Sequence, residues 1–143
     1  MKKNQGYFIN PNEELDPDIK NLYSNVLKVF NGATVEYSRL GFWESSILNT
    51  NRHGVLVSYY GDGDEYLDHF DLSSFTILMW FYKEPKRFKG GNLILRDIGE
   101  EIEVRNNRIT IIPGHTVHAV PKVIVKGAPE KSGRYCISIF LNV

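Results

Sequence analysis

Arg134-Tyr135-Cys136-Ile137-Ser138-Ile139-Phe140-Leu141 alternates residue by residue. Successive side chains of a strand point to opposite faces, so Tyr135, Ile137, Ile139 and Leu141 form one apolar face. Arg134, Cys136 and Ser138 share the other. The apolar face requires a covering layer. Two readings of the second face stand open. It is either solvated, with Arg134 an ordinary surface cation, or it lines a barrel interior, where a buried guanidinium requires an anion. A carboxylate would then bind the guanidinium bidentately, with a further hydrogen bond from Ser138.

The same short period extends upstream to residue 54. Runs at 55–60, 75–82, 93–96, 101–105, 108–112, 116–120 and 135–142 are rich in β-branched and aromatic residues and are punctuated by Gly, Pro or Asn. Asn106-Asn107, between two alternating runs, suits a tight hairpin turn. Before residue 50 the period lengthens. Ile19, Leu22, Tyr23, Val26, Leu27 and Phe30 recur at helical spacing over 17–31, with Asp16 as cap, Pro17 at the first position and Gly32 at the exit. A shorter helix is expected over 43–48. The pattern predicts a mainly β, α+β fold in which helices of residues 1–50 back an antiparallel sandwich or barrel of residues 54–142. A length of 143 residues suits one domain with one core.

Composition narrows the function classes. Apolar residues make up 42%, enough for a core and too many for a disordered chain. The 17 basic and 17 acidic residues cancel, which argues against a dedicated nucleic-acid binder. Cys136 has no second cysteine to pair with, so a reducing interior is expected. The basic start, Met1-Lys2-Lys3-Asn4-Gln5, is not followed by the apolar stretch of a signal peptide. The longest apolar run, near residues 75–82, is too short for a membrane helix. These features predict a soluble, cytoplasmic protein.

Chemistry concentrates in Tyr66-Leu67-Asp68-His69-Phe70-Asp71. Two apart on a strand, His69 and Asp71 share a face and can approach one metal ion. One imidazole and one carboxylate need a third ligand from a distant segment. Ile112-Pro113-Gly114-His115-Thr116-Val117-His118 offers two candidates, but an odd spacing places His115 and His118 on opposite faces. Pro113-Gly114 is a turn signal that leaves His115 at the loop edge and His118 within the strand, so His118 is the expected ligand. His115 and His53 read as exposed loop histidines. Two histidines and one carboxylate leave three coordination positions open, which suits non-haem Fe(II).

Together these residues resemble the prolyl-4-hydroxylase branch of the 2-oxoglutarate/Fe(II) oxygenases. The resemblance runs from Tyr59-Tyr60-Gly61 through Tyr66-Leu67-Asp68-His69-Phe70-Asp71 to the threonine and aromatics of Phe75-Thr76-Ile77-Leu78-Met79-Trp80-Phe81-Tyr82. It continues with Gly90-Gly91-Asn92-Leu93, the Pro113-Gly114 turn, Val120-Pro121-Lys122-Val123 after His118, and the closing Arg134-Tyr135-Cys136-Ile137-Ser138. It covers residues 54 to 142 in the right order. It implies a double-stranded β-helix, or jelly roll of cupin type, that binds Fe(II), 2-oxoglutarate and O2, with ascorbate as an accessory reductant. It implies His69, Asp71 and His118 as iron ligands and catalytic centre, Tyr59 lining the cosubstrate pocket, and Arg134 with Ser138 on the distal carboxylate. Trp80 stands where relatives place a tyrosine that touches the same carboxylate. The implied reaction hydroxylates a C–H bond and releases succinate and CO2.

A prolyl residue in a peptide is the substrate the subfamily suggests, and a peptide, protein or small molecule is the expected partner of a monomer or homodimer. Competing readings are the same chemistry on a free amino acid, small metabolite or nucleobase, a non-catalytic jelly-roll binding module, and a zinc hydrolase using the same ligands. Lys83, Lys86, Arg87 and Lys89 read as a solvated loop or a greeting for an acidic substrate, while Asp62, Asp64, Glu65 and Asp68 would favour a basic peptide. The departures from the family pattern are a long connection over 123–133, which looks like an insertion, and a short N-terminal helical support.

Overall fold

The computed structural model describes residues 2–127 and 129–143; Met1, from the basic start, and Ala128, from the 123–133 connection, lie outside them. Two five-stranded sheets form the body of the fold. One is ordered β1 (Lys2–Lys3), β4 (Glu65–His69), β9 (His118–Val120), β6 (Leu93–Leu95), β7 (Glu100–Ile102). The other is ordered β2 (Gln5–Ile9), β3 (Arg52–Tyr60), β10 (Arg134–Asn142), β5 (Phe75–Phe81), β8 (Ile109–Pro113). All pairings are antiparallel, and consecutive strands alternate between sheets as in a jelly roll.

Strand β10 sits at the centre of its sheet between β3 and β5 and fixes both layers of the core. Cys136 joins Tyr60, Leu78, Trp80, Leu93 and Val120 in the cluster between the sheets. On its opposite face Ile137 and Ile139 join Val55, Ile77, Val26 and Phe30 beneath helix α1 (Pro17–Ser38). Burying each such aliphatic side chain contributes roughly 1.5–3 kcal/mol, so the alternation of this strand decides which layer each residue stabilises.

Helix α1 starts as expected, with Pro17 in the first turn and the Asp16 side chain accepting from the Asp18 N–H at 2.9 Å. It passes Gly32, the expected exit, and ends at Ser38. A mid-helix glycine costs only about 1 kcal/mol. The extra turns bring Tyr37 edge-on against Phe75, with ring centroids 6.0 Å apart. The second helical segment is α2 (Phe42–Ser45) followed by a 3-10 turn, Ser46–Asn49.

Two expectations are corrected. Asn106-Asn107 does turn the chain, with Asn107 at φ 62°, but it does not close a hairpin. The flanking strands β7 and β8 lie in different sheets, paired to β6 and β5 respectively. The N-terminal residues are not solely helical support, because β1 and β2 add one edge strand to each sheet.

The Gly90-Gly91 pair has a packing cause. Both residues have φ of +71°, and a Cβ on Gly90 would stand 2.1 Å from the Lys122 carbonyl oxygen. A Cβ on Gly91 would meet the Val123 side chain at 2.7 Å and the Arg134 stem at 3.4 Å. The start of the long connection is therefore laid directly on this turn. Lys89 and Ile124 exchange backbone hydrogen bonds at 3.0 and 2.9 Å. From the other side, Gly63 N–H donates to the Val123 carbonyl and Val123 N–H to the Asp64 carbonyl, at 2.8 and 2.9 Å.

Candidate metal and cosubstrate site

His69 and His118 meet because they are direct cross-strand partners on β4 and β9. Between Tyr66, opposite Val120, and His69, opposite His118, the register shifts, with three residues set against two. Such a bulge re-aims side chains, and here it turns both Tyr66 and His69 toward the inter-sheet cavity. Tyr66 stacks on the His69 ring, with centroids 3.4 Å apart. Asp71 lies just beyond the strand end. Its Oδ1 is 3.9 Å from His69 Nε2, and its Oδ2 is 3.7 Å from His118 Nε2. The ligand atoms of all three residues lie within 4.8 Å of one another.

The imidazoles are held in one tautomer. His69 Nδ1 lies 2.9 Å from the Leu67 carbonyl, and His118 Nδ1 lies 2.8 Å from the Thr116 carbonyl. A carbonyl only accepts, so each Nδ1 carries the proton and each Nε2 keeps a lone pair for a metal. Asp71 is fixed as well. Thr76 Oγ1 donates to its Oδ2 at 2.6 Å, and Ser73 Oγ lies 2.9 Å from Thr76 Oγ1. Two neutral imidazoles and one carboxylate on one side of a cavity match the facial donor set of non-haem iron.

The same cavity is lined by Arg134, Tyr60, Ser138 and Cys136. Arg134 is 1% exposed, and its Nε and Nη1 groups have no hydrogen-bond partner among the described residues. Its guanidinium carbon stands 4.9 Å from the Tyr60 ring centre and 5.6 Å from that of Trp80. Burial pushes the Tyr60 phenol well above its ordinary pKa, and the neighbouring guanidinium offsets part of the rise. Tyr66 is also raised, by burial and then by the Asp71 carboxylate. A buried cation with orphaned donors calls for a carboxylate.

The expected residues divide as follows. His69, Asp71, His118, Arg134 and Ser138 line one cavity. Tyr59 does not, and this corrects the expectation. Strand alternation turns Ser58 and Tyr60 inward and places Tyr59 on the outer face, with its ring 4.8 Å from that of Tyr135. Trp80 is fully buried behind Arg134 rather than in the cavity wall, and its Nε1 has no partner among the described residues. His115 is exposed and stacks on Phe70. His53 is a helix-to-sheet tie, with Nε2 2.8 Å from the Tyr23 hydroxyl.

The acidic residues near the entrance serve local structure. Asp62 accepts from Val125 N–H, Asp64 accepts from Gly61 N–H, and Asp68 pairs with Arg96. Sequence reasoning missed Tyr60, Tyr66, Thr76 and Ser73. Strand parity from Arg134 could have found Tyr60, its direct partner on β3. A bulge hides Tyr66 from any parity argument.

Comparison with known proteins supplies a family. The model of the 2OG-Fe(II) oxygenase superfamily matches residues 55–142, more than half of the chain. Among solved structures, the viral collagen prolyl hydroxylase of Paramecium Bursaria Chlorella virus-1, in its 2OG complex, aligns at TM-score 0.56 and 15% identity. That alignment covers 98% of this chain and 80% of that one. A Pseudomonas putida prolyl-4-hydroxylase aligns at 0.56 and 15%, covering 100% and 71%. The full-length thymine hydroxylase of Neurospora crassa, in complex with alpha-KG, aligns at 0.57 and 17%, covering 97% and 55%. At these identities the structural likeness establishes the shared fold. No curated protein sequence matches.

Proposed function

Because the chain belongs to the 2OG-Fe(II) oxygenase superfamily, we propose that His69, Asp71 and His118 hold the ferrous ion, that Arg134 anchors the far carboxylate of 2-oxoglutarate, and that the C–H bond hydroxylated belongs to a prolyl residue in a peptide. One observation carries the reading. A facial trio of metal donors and a buried guanidinium with orphaned N–H groups line the same cavity. An apolar-lined binding module would not bury an unmatched cation opposite metal donors, since the desolvation cost is met only when an anion arrives.

In this account each residue has a task. His69 and His118 present Nε2, with Nδ1 tied to backbone carbonyls. Asp71 supplies the negative charge. Arg134 binds and orients the dicarboxylate, with Ser138 as a supplementary donor on the same strand face. When bound, the ferrous ion supplies the coupling of oxygen reduction and 2-oxoglutarate decarboxylation to C–H hydroxylation. Leu78, Leu93 and Val120 in the cavity wall limit the water around these charges.

Succinate release with Fe(II), 2-oxoglutarate and oxygen tests the chemistry, and a gain of one oxygen on a proline-rich peptide tests the substrate. Loss of succinate release in both Asp71→Ala and Arg134→Ala is expected. Unchanged release in both contradicts the site. Oxygen found on a nucleobase or free amino acid, with the peptide untouched, would move the substrate while keeping the site.

A further inference from the structure

We infer that a buried hydroxyl chain, Ser73 to Thr76, is the positioning device that restricts Asp71 to a single coordination position on the metal. The inference rests on the reading of Asp71 as a ligand and adds two residues to it. An ionised carboxylate only accepts hydrogen bonds, so in the 2.6 Å contact the proton belongs to Thr76 Oγ1 and points at Asp71 Oδ2. Thr76 has one proton to give. The 2.9 Å contact between Ser73 and Thr76 therefore runs the other way, from Ser73 Oγ–H to Thr76 Oγ1. The result is a directed chain, Ser73 to Thr76 to Asp71, that ends on one of the two carboxylate oxygens.

The chain is shielded and rigidly mounted. Thr76 is 0% and Ser73 3% exposed, so water does not compete for these bonds. Thr76 lies on β5, between Phe140 of β10 and Ile112 of β8. The loop that carries Asp71 and Ser73 is fastened by its backbone. Asp71 N–H donates to the Gly114 carbonyl at 2.8 Å, Gly114 N–H to the Ser74 carbonyl at 3.0 Å, and Ser74 N–H to the Leu141 carbonyl at 2.8 Å. A Cβ on Gly114 would lie 1.9 Å from the Ser73 carbonyl oxygen, which explains a glycine there.

The chemical consequence concerns the number of open positions. A carboxylate with both oxygens free can chelate a cation and occupy two positions. A 2-oxo acid needs two positions and oxygen one, and three protein atoms leave three open. With Oδ2 held by Thr76, Asp71 offers Oδ1, the oxygen that faces His69 Nε2. Removing the Thr76 hydroxyl frees the carboxylate to rotate or chelate, at the expense of the 2-oxo acid.

The test uses Co(II), whose visible absorption reports its coordination number, titrated into the full chain with and without 2-oxoglutarate. Thr76→Val, near-isosteric and lacking the hydroxyl, should weaken Co(II) binding by roughly 10- to 100-fold, as loss of partners behind a ligand does. It should also shift the Co(II) spectrum and blunt the response to 2-oxoglutarate. Thr76→Ser should restore all three, although it loses a buried methyl and some thermal stability. Ser73→Ala should move them in the same direction by a smaller amount, and it carries the test if Thr76→Val does not fold. Wild-type affinity and spectrum in both hydroxyl-free variants would overturn the inference while leaving the metal site standing. So would a Thr76→Ser protein that behaves like Thr76→Val. Failure of the wild-type chain to bind Co(II) would overturn the underlying reading of the triad as well.

Discussion

The two ends of the inter-sheet cavity are built on opposite plans. At the histidine end the protein satisfies its own polar groups. Both Nδ1 protons rest on backbone carbonyls, and Asp71 Oδ2 holds the Thr76 hydroxyl. At the Arg134 end a guanidinium almost wholly out of solvent keeps two kinds of N–H group without a protein acceptor, flanked by the faces of Tyr60 and Trp80. The difference lies in when the polar demand is met: at folding for one end, on ligand arrival for the other. Groups satisfied at folding are ready for a metal without rearrangement. A charge left unsatisfied costs stability and returns that cost as selectivity for an anion.

The largest break in this comparison comes from Asp71→Ala, which removes the anionic donor. Metal-dependent succinate production should fall by more than the roughly 100-fold that loss of an outer partner causes, and direct metal titration checks it. Arg134→Met breaks the other end. The 2-oxoglutarate concentration needed for half-maximal turnover should rise by about 30-fold or more, since an anchoring charge pair is worth at least about 2 kcal/mol.

Arg134→Met also sharpens the contrast. Without ligand, the variant should unfold at a higher temperature than wild type, because an apolar replacement for a buried charge stabilises by about 1 kcal/mol or more. The cation–π contacts with Tyr60 and Trp80 offset part of that gain. Added 2-oxoglutarate should reverse the order.

A smaller effect is expected of Gly90→Ala, which strains a left-handed backbone and drives a methyl into the Lys122 carbonyl. It should cost about 2–3 kcal/mol in denaturant unfolding and loosen the Arg134 end more than the metal end. The smallest belongs to Tyr59→Phe. On the outer face it loses a weak 3.3 Å contact from Gly133 N–H, so stability should change by about 0.5 kcal/mol or less and the 2-oxoglutarate requirement not at all.

The contrast between Tyr59 and Tyr60 also shows how far the sequence could be read. Alternation in β10 separated the helix-facing Ile137 and Ile139 from the cavity-facing Arg134 and Ser138, because a central strand covered on both faces must repeat every two residues. The order of motifs carried the rest of the jelly roll. What escaped depends on long-range pairing. Tyr59 and Tyr60 are equally aromatic neighbours, and only the register with Arg134 says which one faces inward.

The bulge between Tyr66 and His69 breaks the parity that a sequence argument relies on. Gln5–Ile9 has little apolar signal because four of its five residues stay exposed on an edge strand. Helix α1 continues past Gly32 because tertiary contacts such as Tyr37 on Phe75 outweigh one unfavourable residue. Asp62 and Asp64 look like an entrance charge in sequence, and only the fold reveals that they tie loops.

The central claim is that the histidine end and Arg134 serve one molecule between them. Anaerobic titration of the Fe(II)-loaded chain with 2-oxoglutarate, followed by the visible charge-transfer absorption of a 2-oxo acid chelated to ferrous iron, tests it most directly. The account predicts an absorption that saturates at one equivalent of iron, disappears in Asp71→Ala, and in Arg134→Met requires at least about 30-fold more 2-oxoglutarate, in line with the loss of a charge-assisted anchor. An absorption that forms in Asp71→Ala as in wild type, or that is indifferent to Arg134, would contradict it.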